Sequence, residues 1–190
     1  MFTKKEAELL KSYLESTIET LRNQLNIGST EGVRRQQVED RLISLVSAYN
    51  KLNYTKPKNT GISKQARLLI IDDVESLRNV HRHYFLECGF RHIEMAEDGL
   101  KAFKAMRRAL SEGKPFDLVV SDWEMPRVSG LDLLKKVRVD KDLWGTPFFL
   151  ITALGDKPHI LSAINAGATG YMVKPLSQIV VNQKFAEYLN

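Results

Sequence analysis

The chain of 190 residues has a single cysteine, no long apolar run and no dense block of basic residues. Cys88 cannot form a disulfide within the chain, which fits a reducing cytoplasm. No stretch approaches the roughly 20 apolar residues of a membrane span. The N-terminus turns polar and acidic at once, so we expect no secretory signal. These absences predict a cytoplasmic globular protein without membrane insertion.

Positive charge is present but dispersed along the sequence. The formal net charge is +5, with ten Lys/Arg against seven Asp/Glu in residues 1–60 and eighteen against sixteen in residues 61–190. Proteins that bind nucleic acids usually concentrate basic residues on one face or one helix. We therefore assign the charge to solvated surface and expect no nucleic-acid partner.

The first third of the sequence is typical of a helical hairpin. Apolar residues at helical spacing predict one helix over 3–26 and a second over about 31–52. The first stripe is Leu10, Leu14, Ile18, Leu21 and Leu25, and the second is Val38, Leu42, Val46, Tyr49 and Leu52. The short connection between the helices favours an antiparallel arrangement. Residues 1–53 form this predicted hairpin, and the polar residues 54–66, which include Pro57 and Gly61, form a linker.

From residue 67 onwards, short apolar runs alternate with helical patterns. Strands are predicted at 67–71, 92–95, 116–121, 147–151 and 171–173, and helices near 75–88, 98–112, 131–139, 156–166 and 177–189. Five such β/α units predict a parallel sheet with helices on both faces. The first, third and fourth runs are almost entirely apolar, as expected for strands that are covered on both faces. We assign residues 67–190 to this domain.

Polar residues follow four of these runs: Asp72 and Asp73, Asp122, Thr152 and Lys174. Ligands of such sheets bind beyond the carboxyl ends of the strands. Three carboxylates placed together repel one another, and a hard cation such as Mg²⁺ relieves that repulsion. A carboxylate can also act as a nucleophile and form an aspartyl phosphate. The pattern therefore predicts a site for a divalent cation and a phosphoryl group.

Residues 67–187 resemble a response-regulator receiver domain of the single-domain chemotaxis kind. The matching segments are Leu-Ile-Ile-Asp-Asp at 69–73, Val-Ser-Asp-Trp-Glu-Met-Pro at 120–126, Gly130-Leu131, Ile-Thr-Ala at 151–153, and Ala-Gly-Ala-Thr-Gly-Tyr-Met-Val-Lys-Pro at 166–175. The resemblance implies a flavodoxin-like (βα)5 fold, a doubly wound parallel sheet with strand order 2-1-3-4-5. It covers about two-thirds of the chain.

The resemblance also implies a role for each acidic residue. Asp122 would be the phosphoacceptor. Asp73 and Asp122 would bind Mg²⁺ directly, together with the backbone carbonyl of Glu124, and Asp72 would act through a metal-bound water. An acidic side chain at position 124 would also affect the lifetime of the phosphorylated state.

The remaining implied roles concern signalling. Lys174 would contact the phosphoryl group, and Thr152 and Tyr171 would form a switch pair. A sensor histidine kinase would supply the phosphoryl group, and a protein target would bind the face built from 156–189. The domain would catalyse only its own phosphorylation and dephosphorylation, so we do not class it as an enzyme. Two alternatives stay open, a Mg²⁺-dependent phosphatase with an aspartyl nucleophile and a receiver-like binding module that is not phosphorylated.

The hairpin at 1–53 has three alternative roles. It could dimerise, act as an adaptor that docks a kinase or target, or inhibit the domain by packing on it. We favour a homodimer, because two narrow apolar stripes need to be covered.

The four histidines of the sequence lie outside the hairpin and show no metal-ligand spacing. Residues 1–80 contain none, which excludes a histidine phosphotransfer role for the hairpin. We assign His81, His83, His92 and His159 to surface or packing roles.

Overall fold

A computed structural model describes residues 4–26, 37–38, 41–42, 44–45, 65–153 and 157–185 of the chain. The predicted linker lies outside these residues except at its last two positions, and so does most of the second predicted helix. None of the helices in the described ranges combines the length and the apolar character that crossing a bilayer requires.

The described residues from 65 onwards form five β/α units. The strands are β1 (Arg67–Ile71), β2 (His92–Ala96), β3 (Leu118–Asp122), β4 (Phe148–Thr152) and β5 (Gly170–Val173). After α1 (Lys4–Asn26), the helices are α2 (Glu75–Cys88), α3 (Gly99–Ser111), α4 (Gly130–Val139), α5 (Lys157–Asn165) and α6 (Gln178–Phe185). All strand pairs are parallel, and the order is β2-β1-β3-β4-β5. The predicted flavodoxin-like fold and its strand order are confirmed.

The sheet has a hydrophobic core on each face, because successive side chains of a strand point to opposite sides. On one face Leu69, Val119 and Leu150 pack against helices α3 and α4. On the other face Ile70 and Ile151 belong to a cluster that includes residues of α2 and α6. Strands β3 and β4 are buried at every position. This two-sided burial explains why their sequences read as continuous apolar runs.

Strands β3 and β4 differ from the prediction at their ends, in a way that matters for the site. Strand β3 begins at Leu118 rather than at residue 116, since the Asp117 carboxylate accepts a hydrogen bond from the backbone N–H of Arg67 at 2.8 Å. Strands β3 and β4 end at Asp122 and Thr152 themselves, because each still pairs with its neighbour, at Ile151 and Val173. The two polar side chains therefore extend from the last rigid position of a strand.

Helix α1 buries four residues of its apolar stripe within the chain. Leu14, Ile18, Leu21 and Leu25 are buried, together with Leu42 from the helical residues 41–42. The side chains of Val139 and Trp144 pack against this cluster from the far end of α4 and the loop that follows it. The helical prediction for these residues is confirmed, and the helix lies at the amino edge of the sheet.

Candidate functional site

The sheet brings the predicted polar residues to one edge. Asp72 follows β1, Asp122 ends β3, Thr152 ends β4 and Lys174 follows β5. These four strands are consecutive neighbours, and their carboxyl ends lie at the same level because the register pairs Ile71 with Ser121 and Thr152 with Val173. Residues far apart in sequence therefore lie on adjacent strand ends.

Three carboxylates converge at this edge. Asp72, Asp73 and Asp122 each place an oxygen within 4.8 Å of the other two. The Asp72 and Asp122 side chains are buried, whereas Asp73 is exposed. Burial raises the pKa of Asp72 and of Asp122 above the ordinary carboxyl range, since a charged group is costly to desolvate. The cluster concentrates negative charge at the carboxyl ends of β1 and β3, where it faces solvent.

The Asp122 carboxylate is held at both oxygens. Its Oδ1 accepts a hydrogen bond from the backbone N–H of Trp123 at 2.8 Å, and its Oδ2 accepts one from Lys174 Nζ, also at 2.8 Å. The Lys174–Pro175 peptide bond that follows is cis. The lysine opposes the effect of burial on the Asp122 pKa. This carboxylate is thus oriented and partly neutralised within its own chain.

Asp72 is oriented by the first turn of α2. Its Oδ1 accepts a hydrogen bond from the backbone N–H of Val74 at 2.9 Å, which serves the N-terminus of the helix where Val74 itself supplies no side-chain cap. The Arg78 guanidinium donates to the backbone carbonyl of Asp72. The turn that carries the acidic pair is therefore fixed from both sides.

The donor set fits a hard divalent cation. Mg²⁺ commonly binds to one or two carboxylates and keeps several of its waters. The three carboxylates at this edge of the sheet, one of them exposed to water, offer such ligands. Within the described residues, the single ammonium group of Lys174 is the only positive charge bonded to these three carboxylates. The acidic residues exceed their positive partners, and a bound cation would correct that imbalance.

The predicted switch pair, Thr152 and Tyr171, lies on one face of the sheet. Tyr171 pairs in register with Leu150, two residues before Thr152, so the Tyr171 and Thr152 side chains lie on the same side. Thr152 is buried, and Tyr171 is half-buried. Glu124 lies in the loop after β3 with an exposed side chain, and the role of its carbonyl stays a prediction.

Comparison with known proteins identifies the domain. The sequence profile of the response regulator receiver domain matches residues 68–185. The chain belongs to this family. It is 35% identical over 123 residues to the chemotaxis protein CheY-3 of Vibrio cholerae, covering 65% of this chain and 91% of the relative.

Solved receiver structures have the same architecture. The chemotaxis protein CheY4 of Vibrio cholerae aligns with a TM-score of 0.56 and 28% identity, over 66% of this chain and 99% of that one. The receiver domain of a signal transduction histidine kinase from Syntrophus aciditrophicus aligns with a TM-score of 0.55 and 27% identity, over 65% and 89%. The chain therefore carries a receiver domain of two-component signalling. Receiver domains serve as signalling switches.

One buried residue at the receiver site escaped the sequence prediction. His81 of α2 is only 4% exposed, and its Nδ1 lies 3.5 Å from Oδ2 of Asp72. Burial, and then the positive charge of Lys174, lower the pKa of His81 to about 4. The assignment to packing was incomplete, because the residue also faces a carboxylate of the acidic cluster. Its spacing of four from Phe85 was the available signal that it lies on the inner face of the helix.

A second contact that the sequence did not reveal ties the loop after β3 to α3. Asp98 caps α3 by accepting from the backbone N–H of Lys101 at 2.7 Å, and Arg127 donates to the other carboxylate oxygen of Asp98. Arg127 has a φ of 70°, a left-handed conformation that non-glycine residues rarely adopt. The loop that follows β3 is thus held by an ion pair across a strained residue.

Replacing Asp72 with Asn should stabilise the metal-free receiver at neutral pH by about 1 kcal/mol. This is the order of the cost of burying one polar group without a full set of hydrogen bonds. The folded-state pKa of Asp72 is raised, so its charge destabilises the fold above that pKa, and the penalty disappears below the unfolded value. The gain should therefore shrink as pH falls into the ordinary carboxyl range. Thermal unfolding of both proteins from pH 7 to pH 4 measures it. An equal or larger gain at pH 4 would contradict this explanation.

Proposed function

We propose that Asp122 is the phosphoacceptor of this receiver and that the protein is a phosphorylation-dependent switch in the cytoplasm. The observation that carries the proposal is the Asp122 carboxylate at the end of β3, bonded to Lys174 at 2.8 Å and within 4.8 Å of two further carboxylates. Such a site combines a fixed nucleophile with charges of both signs. Transfer of a phosphoryl group depends mainly on positioning and on stabilising charge.

The proposed phosphoryl transfer is a displacement at phosphorus. An oxygen of Asp122 attacks the phosphorus of a phosphohistidine in a sensor histidine kinase, or of a small acyl phosphate. A P–O bond forms, and the bond to the histidine nitrogen or acyl oxygen breaks, with its electron pair staying on the leaving group. Lys174 can follow the developing negative charge, since its ammonium group already touches Asp122.

The receiver family implies which groups would hold the metal. Mg²⁺ would be held by Asp73, Asp122 and the backbone carbonyl of Glu124, with Asp72 acting through water. When bound, it supplies positive charge next to the transferred phosphoryl oxygens. Asp72 and Asp122 are already oriented by backbone N–H groups, so their carboxylates need little rearrangement to accept a cation.

Signalling would begin at Thr152 and Tyr171. A phosphoryl group on Asp122 adds charge and hydrogen-bond acceptors next to the last residue of β4. The hydroxyl of Thr152 would move towards it, and the Tyr171 ring, on the same face, would follow. The change would reach the surface at 156–189, where a protein target binds.

The two alternatives have less support. A phosphatase with an aspartyl nucleophile would leave Asp72 and Asp73 without a task, whereas the family match assigns the fold to signalling switches. A receiver that only binds would not need the retained carboxylates and lysine. We therefore propose a switch whose only catalysis is its own phosphorylation and dephosphorylation.

The proposal can be tested with Trp123, which lies beside Asp122 and is half-buried. Trp144→Phe would leave Trp123 as the only tryptophan of the chain. Titration with Mg²⁺ should change the Trp123 emission until the binding site is saturated. Beryllofluoride should change the emission further only when Mg²⁺ is present. No response to Mg²⁺, or a beryllofluoride response that is independent of Mg²⁺, would contradict the proposal.

For the N-terminal residues 1–53 we propose a module that docks on the amino edge of the receiver, opposite the acidic site. The side chains of Val139 and Trp144 pack against the cluster of Ile18, Leu21, Leu25 and Leu42. The guanidinium of Arg22 lies 4.3 Å from the centroid of a Trp144 ring. Since this contact is remote from Asp122, it does not block the acceptor.

The homodimer predicted from the sequence rested on uncovered apolar stripes. In the described residues much of the first stripe is covered within one chain, which weakens that reason. Homodimerisation through residues 1–53, and an adaptor role for them, stay predictions. Sedimentation of the full chain is the measurement that separates a monomer from a dimer.

Replacing Trp144 with Ala should loosen α1 without unfolding the receiver. Arg22 is buried, and a cation–π contact of a buried arginine contributes about 1 to 2 kcal/mol, so amide exchange across residues 14–25 should become roughly tenfold faster. Trp144→Phe is the matched control, because it keeps an aromatic face for Arg22. Unchanged exchange in the alanine variant would show that α1 does not depend on this contact.

A further inference from the structure

Two buried polar atoms face each other beneath the acidic site. Nδ1 of His81 and Oδ2 of Asp72 lie 3.5 Å apart. The two side chains are 5% and 0% exposed. Neither atom has a hydrogen-bond partner among the described residues. Both groups have been taken out of water, and within the described part of the chain neither forms a hydrogen bond at these two atoms.

The separation is just beyond a normal hydrogen bond. An N–H···O bond usually spans 2.7–3.2 Å, so a shift of a few tenths of an ångström would close it. Leaving a buried donor or acceptor without a partner costs about 1 to 3 kcal/mol for each group. A very small displacement would therefore remove a substantial energetic penalty.

The orientation of the Asp72 carboxylate depends on both of its oxygens. Oδ1 already accepts a hydrogen bond from the backbone N–H of Val74 at 2.9 Å. With Oδ1 engaged, a donor at Oδ2 would fix the rotation of the carboxylate about its Cβ–Cγ bond. His81 belongs to a helix and is held on its inner face, so its ring is a rigid donor.

We propose that His81 is a positioning residue for Asp72: its Nδ1–H donates to Oδ2 and holds this carboxylate in the orientation that serves the divalent cation. This inference rests on the proposed function, since it concerns the same metal site. Partners that orient metal-binding groups from behind commonly change metal affinity by 10–100-fold when they are removed.

The first test compares two substitutions of similar packing demand in the full chain carrying Trp144→Phe. His81→Asn keeps an N–H donor at about the position of Nδ1, and His81→Leu fills the space without one. Mg²⁺ titrations followed by Trp123 emission should give a dissociation constant about tenfold weaker for the leucine variant and within about threefold of the parent for asparagine. Equal weakening in both variants would overturn the positioning role.

A double-mutant cycle separates positioning from general packing. If His81 acts through Asp72, His81→Leu should change Mg²⁺ affinity less than about twofold once Asp72→Asn is present. A tenfold loss in both backgrounds would mean that the leucine disturbs the site by another route, and the proposal would fail.

A second measurement needs neither metal nor a substitution at His81. Nitrogen NMR of the imidazole in the metal-free chain should show the Nδ1–H tautomer. In Asp72→Asn, the amide oxygen would keep the bond from Val74 and its NH₂ would face the ring, so the tautomer should switch to Nε2–H. An Nε2–H tautomer in both proteins would overturn the contact. If the tautomer differs between the two proteins as predicted but the native chain binds no Mg²⁺, the His81–Asp72 contact stands. The proposed function and the metal-positioning role would then be overturned.

Discussion

Replacing Asp122 with Asn is expected to abolish the formation of an acyl phosphate on this protein. The amide has the shape of the carboxylate but is neither charged nor nucleophilic, so the attacking oxygen is lost. The fold should be retained, because the Asn oxygen can still accept from the backbone N–H of Trp123. Incubation with acetyl phosphate and Mg²⁺, followed by intact-mass spectrometry with and without hydroxylamine, measures the labile phosphoryl group.

The matched control for this experiment is Asp142→Asn, which makes the same chemical change at the opposite edge of the sheet. Asp142 pairs with Arg107 and takes no part in the acidic cluster. It should be phosphorylated to the same extent as the native chain. A hydroxylamine-labile phosphoryl group on the Asp122→Asn protein at the native level would contradict the assignment of the acceptor.

The second large effect is expected at Gly130, the first residue of α4. A Cβ atom at this position would collide with the backbone carbonyl oxygen of Asp122 and would lie 2.9 Å from Oγ of Ser121. The obstacle is backbone, so it cannot move aside as a flexible side chain would. The N–H of Gly130 also donates to the carbonyl of Trp123 at 2.9 Å, which fixes this close approach.

Gly130→Ala should therefore destabilise the fold by about 3 kcal/mol or more, at or beyond the upper end of the usual cost of overpacking. Because the collision involves the backbone of Asp122, Mg²⁺ affinity should fall as well. Chemical denaturation and the Trp123 titration measure the two effects. Gly145→Ala is the control, since a Cβ there meets nothing within 4 Å. Equal stability of the two variants would contradict the close packing at Gly130.

The sheet and its acidic edge could be predicted because their signals are local in sequence. A parallel strand covered on both faces requires consecutive apolar residues, and residues such as Leu118, Val119 and Val120 show this directly. Polar residues at successive strand ends then meet by topology alone. Asp122 and Lys174 are 52 residues apart, yet their contact follows from the order of the strands.

The contacts that the sequence did not reveal depend on packing between distant elements. His81 reads as an ordinary inner-face residue of α2 until the end of β1 places Asp72 against it. Arg127 and Asp98 are joined only because two loops approach each other. The docking of α1 on Trp144 likewise requires the three-dimensional position of the loop after α4. An amphipathic stripe shows that a helix must be covered, but not by what.

The most direct test of the central claim is to locate the phosphoryl group chemically. After phosphorylation with acetyl phosphate and Mg²⁺, borohydride reduction converts an aspartyl phosphate to homoserine, which peptide mass spectrometry can assign to one residue. We predict homoserine at position 122, only in the phosphorylated sample and only when Mg²⁺ was present. Homoserine at another aspartate, or at none while the protein carries a labile phosphoryl group, would contradict Asp122 as the phosphoacceptor.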